Sequence, residues 1–205
     1  ILPNLRAGCS MADMANLADV TRCWNEILEN SDLKDPINRK NPDSPSPENE
    51  SYLIPVTYMN SSAALKSFVG EHGGIVCTSS NAEGILNWAF ERAGKNGKVL
   101  FFPDQHLGRN TGLAMGIPIE KMVTWTPGEQ KDELGWKEIN DSKLILWHGF
   151  CSVHKRFTVE QITQFRQENP DGIVVVHPEC PRETVDVSDA NGSTQFIRNF
   201  VQQQA

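Results

Sequence analysis

Two short stretches of the sequence concentrate side chains that bind metals or move protons. His148, Cys151 and His154 recur at every third position, and His177, Glu179 and Cys180 share one tight turn. His and Cys both ligate zinc, so a zinc-dependent hydrolase using His148, Cys151 and His154 is one reading. Structural zinc sites usually carry paired CxxC or HxxxH spacing, and neither occurs here. Cys9 and Cys151 point to another metal. Each sits in a glycine turn followed by serine, as Gly8-Cys9-Ser10 and as Gly149-Phe150-Cys151-Ser152. Iron–sulfur clusters draw thiolates from separate loops, which suits two such turns meeting at an interface. Burial as a small apolar residue competes with either reading for each cysteine, and it is the expectation for Cys23 and Cys77. Three hydroxyl groupings, Ser61-Ser62, Thr78-Ser79-Ser80 and Ser193-Thr194, follow strands and open helices. Each is a potential anion site, or a plain N-cap. If they act only as anion sites, the chain is a noncatalytic phosphoanion-binding α/β module.

These residues need a frame that gathers them. Five apolar runs read as buried parallel strands: Leu53 to Tyr58, Gly74 to Cys77, Lys98 to Phe102, Lys143 to Trp147 and Gly172 to Val176. Val123 to Trp125 is a weaker sixth. Helical stripes alternate with them. Ala82, Ile85, Leu86 and Ala89 form one, and Val159, Ile162 and Phe165 another, with Thr158 and Gln161 as a capping box. A third, over residues 11–28, carries Leu17, Val20, Trp24 and Leu28 on one side. This alternation predicts an α/β fold with a parallel sheet, whose ligands bind beyond the carboxyl ends of the strands. Polar and nucleophilic residues concentrate at these strand exits, while Cys9 sits in a turn ahead of the first expected strand.

Composition narrows the function. The 205 residues carry 19 Lys and Arg against 26 Asp and Glu, a net charge of −7. That charge argues against nonspecific nucleic-acid binding and against an anionic membrane surface. No apolar run reaches the ~18 residues of a membrane span. Five cysteines without a CxxC pair predict reduced thiols in a reducing compartment. Asp32 to Ser51 is polar, holds Pro36, Pro42, Pro45 and Pro47, and reads as a surface insertion at 32–51. Pro127-Gly128 and the charged tract up to Asp141 suggest a boundary. The expected domains are 1–140, with the end of a preceding domain at 1–12, and 141–205 as the start of a next one. A start at Ile1, and a helical pattern still running at Asn199-Phe200-Val201, predict a fragment of a longer protein.

The motifs resemble those of the quinolinate synthase family, in order and in approximate spacing. They are Leu5-Arg6-Ala7-Gly8-Cys9-Ser10-Met11-Ala12, Tyr58-Met59-Asn60-Ser61-Ser62-Ala63, Cys77-Thr78-Ser79-Ser80-Asn81-Ala82, Pro103-Asp104-Gln105-His106-Leu107-Gly108, Gly149-Phe150-Cys151-Ser152-Val153-His154, His177-Pro178-Glu179-Cys180-Pro181 and Gly192-Ser193-Thr194. The resemblance implies repeated three-layer α/β/α domains with short parallel sheets around a pseudo-threefold axis. It implies a 4Fe–4S cluster ligated by Cys9, Cys151 and a third cysteine outside this chain. Cys77 and Cys180 adjoin family motifs without matching its ligand positions. The family's N-terminal domain and its third cluster cysteine have no counterpart here, in line with a fragment.

The implied reaction condenses iminoaspartate with dihydroxyacetone phosphate to quinolinate, phosphate and water in NAD biosynthesis. The implied catalytic residues are Tyr58, Glu179 and His177. The implied substrate-binding residues are Tyr58, Asn60, Ser79, His177, Glu179, Ser193 and Thr194. Burial is expected to raise the pKa of Glu179 toward working pH, fitting it for acid–base work. A cytoplasmic location is implied, or a plastid in a photosynthetic eukaryote.

Overall fold

The computed structural model describes residues 8–39, 47 and 49–204. Leu5 to Ala7 of the first motif, and residues 40–46 and 48 of the proline-rich tract, lie outside them.

The expected strands form, and they do so because their residues are apolar on both faces. β1 (Leu53–Tyr58), β2 (Ile75–Cys77), β3 (Lys98–Phe102), β4 (Met122–Trp125) and β5 (Leu144–Trp147) make one parallel sheet in the order β2-β1-β3-β5-β4. β3 shows how the sheet is buried twice over. Leu100 and Phe102 point into one core, and Val99 and Phe101 into the other. β5 repeats this, with Ile145 and Trp147 against Leu144 and Leu146.

The connections explain which helix covers which face. β1 passes through α2 (Ala63–Glu71) to β2 on one side, and β2 returns through α3 (Ala82–Ala93) to β3 on the other. β3 continues outward through α4 (Gln105–Ala114) to edge strand β4, and α5 (Glu133–Asp141) turns back to insert β5. A single crossover hand puts α2 and α5 on one face and α3 and α4 on the other. The cores agree: Leu65, Phe68 and Ile139 join the first, while Leu86, Ala89 and Leu107 join the second. α1 (Leu17–Glu29) also packs on the first face. Its buried stripe is Val20, Cys23, Trp24 and Ile27, whereas Leu17 is exposed and Leu28 only partly buried. The expected stripe was thus rotated by about one position. A layer of helices on each side of a parallel sheet is the three-layer α/β/α architecture.

Two expectations need correction. β5 lies between β3 and β4, so a division between residues 140 and 141 would cut one hydrogen-bonded sheet. The tract at 32–51 is also not wholly a surface loop. Leu33 is buried, Lys34 bridges to Tyr52, and Asp35 accepts hydrogen bonds from Trp24 Nε1 at 3.2 Å and His72 Nδ1 at 2.7 Å. Its first residues therefore brace α1 against α2, with Leu33 in the core.

Beyond the sheet, α6 (Val159–Glu168) starts at the expected capping box of Thr158 and Gln161. The fifth expected strand shrinks to β6 (Val175–Val176). It pairs in parallel with β7 (Ala190–Asn191) rather than with the main sheet. Between them lies α7 (Arg182–Asp186), and α8 (Thr194–Gln204) follows. No helix among the described residues is long and apolar enough to cross a membrane.

Candidate functional site

β1 and β3 are neighbours whose onward connections run in opposite directions, and such a switch point opens a crevice at the carboxyl edge. β1 exits there at Tyr58 and β3 at Asp104. The exit of β5 joins them: Gly149 bridges to Asp104, and Gln105 N–H donates to the Gly149 carbonyl at 2.9 Å. Only glycine allows this approach, because a Cβ at residue 149 would stand 2.2 Å from the Pro103 carbonyl oxygen.

The two cysteine turns meet. Ser10 Oγ and Ser152 Oγ, each one residue past its cysteine, are hydrogen-bonded at 3.0 Å. Met14 fastens the N-terminal turn, accepting from Trp147 Nε1 at its carbonyl. Cys9 is exposed and Cys151 half-buried, and both are free thiols. The backbone N–H groups of Val153 and His154 face the Cys151 sulfur; burial raises its pKa and those N–H groups pull it down. Cys23, Cys77 and Cys180 are core residues. Burial pushes the thiol of Cys77 to about 12 and that of Cys180 to about 11.

The turn after β6 supplies the acid–base groups. Glu179 is buried, and its Oε2 lies 3.1 Å from His154 Nδ1. His177 stacks on His154, with ring centres 4.6 Å apart, and its Nδ1 accepts the Glu179 N–H at 3.3 Å. Tyr58 is buried, and its hydroxyl is near enough to Glu179 and Ser79 for both to act on its proton. Asn110 of α4 holds the turn from behind. Its Nδ2 donates to the carbonyls of Pro178 at 2.8 Å and Cys180 at 2.9 Å.

The expected rise in the Glu179 pKa is not what this environment produces. Burial pushes it up, but the interactions with His154 and Tyr58, and the nearby His177 ring, outweigh that and hold it below the ordinary carboxylate range. His177 is lowered by burial, so it is neutral at pH 7. Burial and Glu179 together raise Tyr58 far above the usual phenol range. The carboxyl driven upward is a different one. Asp104 is fully buried; its Oδ1 caps α4 by accepting from His106 N–H and Leu107 N–H, while Oδ2 has no partner. Burial first, then the charge of Glu179, raises its pKa to about 7. His106 beside it is lowered by burial to about 4.

Asn60 is half-buried at the exit of β1, next to exposed Met59. The hydroxyl groupings behave unequally. Ser62 caps α2 and Ser193 caps α8 through Phe196 N–H, so both perform the capping role. Ser61 is buried with its Oγ unpartnered. Ser79 leaves its helix uncapped and turns to Tyr58 instead. Gly192 N–H donates to Val176 O, which sets Ser193 and exposed Thr194 beside the His177 turn at the end of the small sheet. His148 is exposed and only 3.5 Å from Thr126 Oγ1, and it stays apart from Cys151 and His154. Glu179 takes that place: the ligand atoms of Cys151, His154 and Glu179 all lie within 4.8 Å of one another.

Sequence reasoning missed Asp104 and Asn110. Asp104 was readable as a strand-exit N-cap, but nothing local revealed that its second oxygen is isolated. Asn110 grips carbonyls 68 and 70 residues away, which no local pattern reports.

The family model described as NadA, Quinolinate synthetase A protein, matches residues 1–205. Quinolinate synthase of Corynebacterium glutamicum is 56% identical over 202 residues, covering 98% of this chain and 46% of the relative. That of Rhodopirellula baltica is 48% identical over 208 residues, covering 97% and 47%, and that of Bacillus velezensis 43% over 203 residues, covering 99% and 49%. The chain thus spans about half the length of the curated relatives it matches. A match that runs through the whole sequence, cysteine turns and acid–base turn together, makes this chain a member of the quinolinate synthetase A family.

Proposed function

We propose that this chain is part of a quinolinate synthase, which condenses iminoaspartate with dihydroxyacetone phosphate to quinolinate in NAD biosynthesis. The observation that carries the proposal is the Ser10–Ser152 contact. It joins two cysteine turns 142 residues apart beside the Tyr58–Glu179–His177 group. Two free thiols on touching loops fit two of three thiolates around a 4Fe–4S cluster, so Cys9 and Cys151 would hold it with a third cysteine from outside this chain. Bound there, the cluster supplies Lewis acidity for holding substrate and easing loss of a hydroxyl.

The chain's own groups do the rest. Glu179 is a carboxylate at neutral pH and can take a proton. Tyr58 keeps its proton, so it donates a hydrogen bond and orients the substrate. His177, neutral and carrying its proton on Nε2, donates to a carbonyl or phosphate oxygen. The negative Glu179 repels anionic groups, which leaves phosphate and carboxylates to Asn60, Ser79, His177, Ser193 and Thr194. Asp104, titrating near neutrality, is a proton reservoir at the same crevice. The substrates are small molecules handled in the cytoplasm.

Cys9→Ser and Cys151→Ser, made in the full natural chain, test the proposal. Each is expected to lose the brown chromophore and quinolinate formation under anaerobic purification, because a hydroxyl is a far weaker iron ligand than a thiolate. Cys23→Ala is expected to keep both. Full iron content and turnover in Cys9→Ser would refute the ligand assignment.

A further inference from the structure

The cluster accounts for Cys151 but not for its grouping with His154 and Glu179. Their ligand atoms, one sulfur, one imidazole nitrogen and one carboxylate oxygen, lie within 4.8 Å of one another. Cys9 is not among them, although its turn touches that of Cys151. We propose that, in protein without its cluster, Cys151 Sγ, His154 Nδ1 and Glu179 bind a single zinc ion, and that this bound state excludes cluster assembly.

The geometry favours a small four-coordinate ion. Zinc bonds of about 2.0–2.3 Å set tetrahedral ligands roughly 3.3–3.7 Å apart. His154 Nδ1 and Glu179 Oε2 are already 3.1 Å apart, so the pair needs only to open slightly while the sulfur closes in. The elements are fixed from several sides. Asn110 grips the carbonyls flanking Glu179, His177 stacks on His154, and Ser152 ties the Cys151 turn to Ser10. Glu179 is buried and held at Oε2 by His154, so it is presented rather than free to swing into solvent. One thiolate, one imidazole and one carboxylate are all recognised zinc donors, and water completes the fourth position.

Proton balance is simple. Zinc replaces the proton that bridges His154 Nδ1 and Glu179. The imidazole carries its proton on Nε2 instead, and Glu179 is a carboxylate before and after. The Cys151 thiol proton leaves to solvent, so one proton is released per zinc bound. Because Cys151 would serve both metals, zinc and cluster exclude each other.

The test uses the full natural chain stripped of iron, with zinc measured by competition against a chromophoric chelator and with cobalt as a coloured substitute. We expect one tight equivalent, a sulfur-to-cobalt charge-transfer band, and the strong visible absorption of four-coordinate cobalt. Cys151→Ser is expected to abolish the charge-transfer band. His154→Ala and Glu179→Gln are each expected to weaken zinc binding by no less than the ~10–100-fold typical of outer-shell losses. Glu179→Gln preserves side-chain shape, so it decides the matter if His154→Ala folds poorly. Cys9→Ser, which removes a cluster ligand, is expected to leave zinc affinity within about threefold of wild type, which separates this site from the cluster's own. Zinc-loaded protein is expected to take up no cluster until a chelator is added. Unchanged affinity in Glu179→Gln, a loss in Cys9→Ser equal to that in Cys151→Ser, or normal cluster uptake by zinc-loaded protein would each overturn the proposal.

Discussion

Asp104→Asn removes a buried charge while keeping a helix cap. Asn retains the oxygen that accepts from His106 and Leu107 N–H, so α4 keeps its start. The Oδ2 position, which has no partner, becomes an amide instead of half a carboxylate. In the wild type the folded carboxyl has a pKa of about 7, above its ordinary 3.8, so the folded state holds the proton more tightly than the unfolded chain. Stability from this group is therefore fully present below about pH 4 and is lost as pH rises through about 7. When both states are ionised the loss amounts to about 4 kcal/mol, of which roughly 2–3 kcal/mol accrues between about pH 5 and about pH 8. The buried amide carries its own pH-independent cost of about 1–3 kcal/mol, so the absolute stability of the variant decides nothing. The change of the gap with pH decides. Calorimetry of iron-free wild type and variant at both pH values is expected to show the variant gaining several degrees of Tm on wild type at the higher pH. A gap that stays constant would mean that Asp104 is already ionised, or never ionised, across this range, and its part as a proton reservoir would fall.

Other changes probe the remaining supports of the crevice. Asn110→Ala leaves the carbonyls of Pro178 and Cys180 buried without a donor, and a stability loss of about 2–4 kcal/mol with weakened dihydroxyacetone phosphate binding is expected by calorimetry. Glu179→Gln keeps the reach of the side chain but not the proton; turnover should drop by about 10²–10⁴ with the substrate dissociation constant near normal, and a loss under about threefold would reduce Glu179 to a turn residue. In the wild type the acid limb governed by Glu179 is expected below the ordinary carboxylate range, because His154 and Tyr58 hold its pKa down, and a limb near pH 6 would contradict that electrostatic account. Gly149→Ala drives a methyl into the Pro103 carbonyl, so the exits of β3 and β5 must part; thermal unfolding should register several kcal/mol of loss, about 3 or more, and near-normal stability would show that the loops are not coupled as described.

Much of this protein is local enough to be written in its sequence. β1 and β3 were readable to the residue, because a strand buried on both faces must be apolar throughout and Leu53–Tyr58 and Lys98–Phe102 are bounded by polar turns. The capping box at Thr158 and Gln161 is likewise a matter of three residues. The resemblance of the motifs points to the two cysteine turns without any knowledge of the contact between them. Other features depend on where distant segments land. β5 enters the sheet between β3 and β4 and is the sole partner of β4, a placement set by distant segments, and a linker of Pro127-Gly128 looks the same whether it ends a domain or turns back into one. β6 and β7 have two residues each, too few for any period to show. The electrostatics needed the tertiary structure most. Burial alone predicted a raised Glu179, yet a histidine 25 residues earlier in the chain and a tyrosine from β1 reverse the sign. The same burial, acting on an Asp104 oxygen that no donor reaches, raises that carboxyl instead. A sequence names the titratable groups, but the sign of each shift comes from which partners the fold brings within hydrogen-bonding distance.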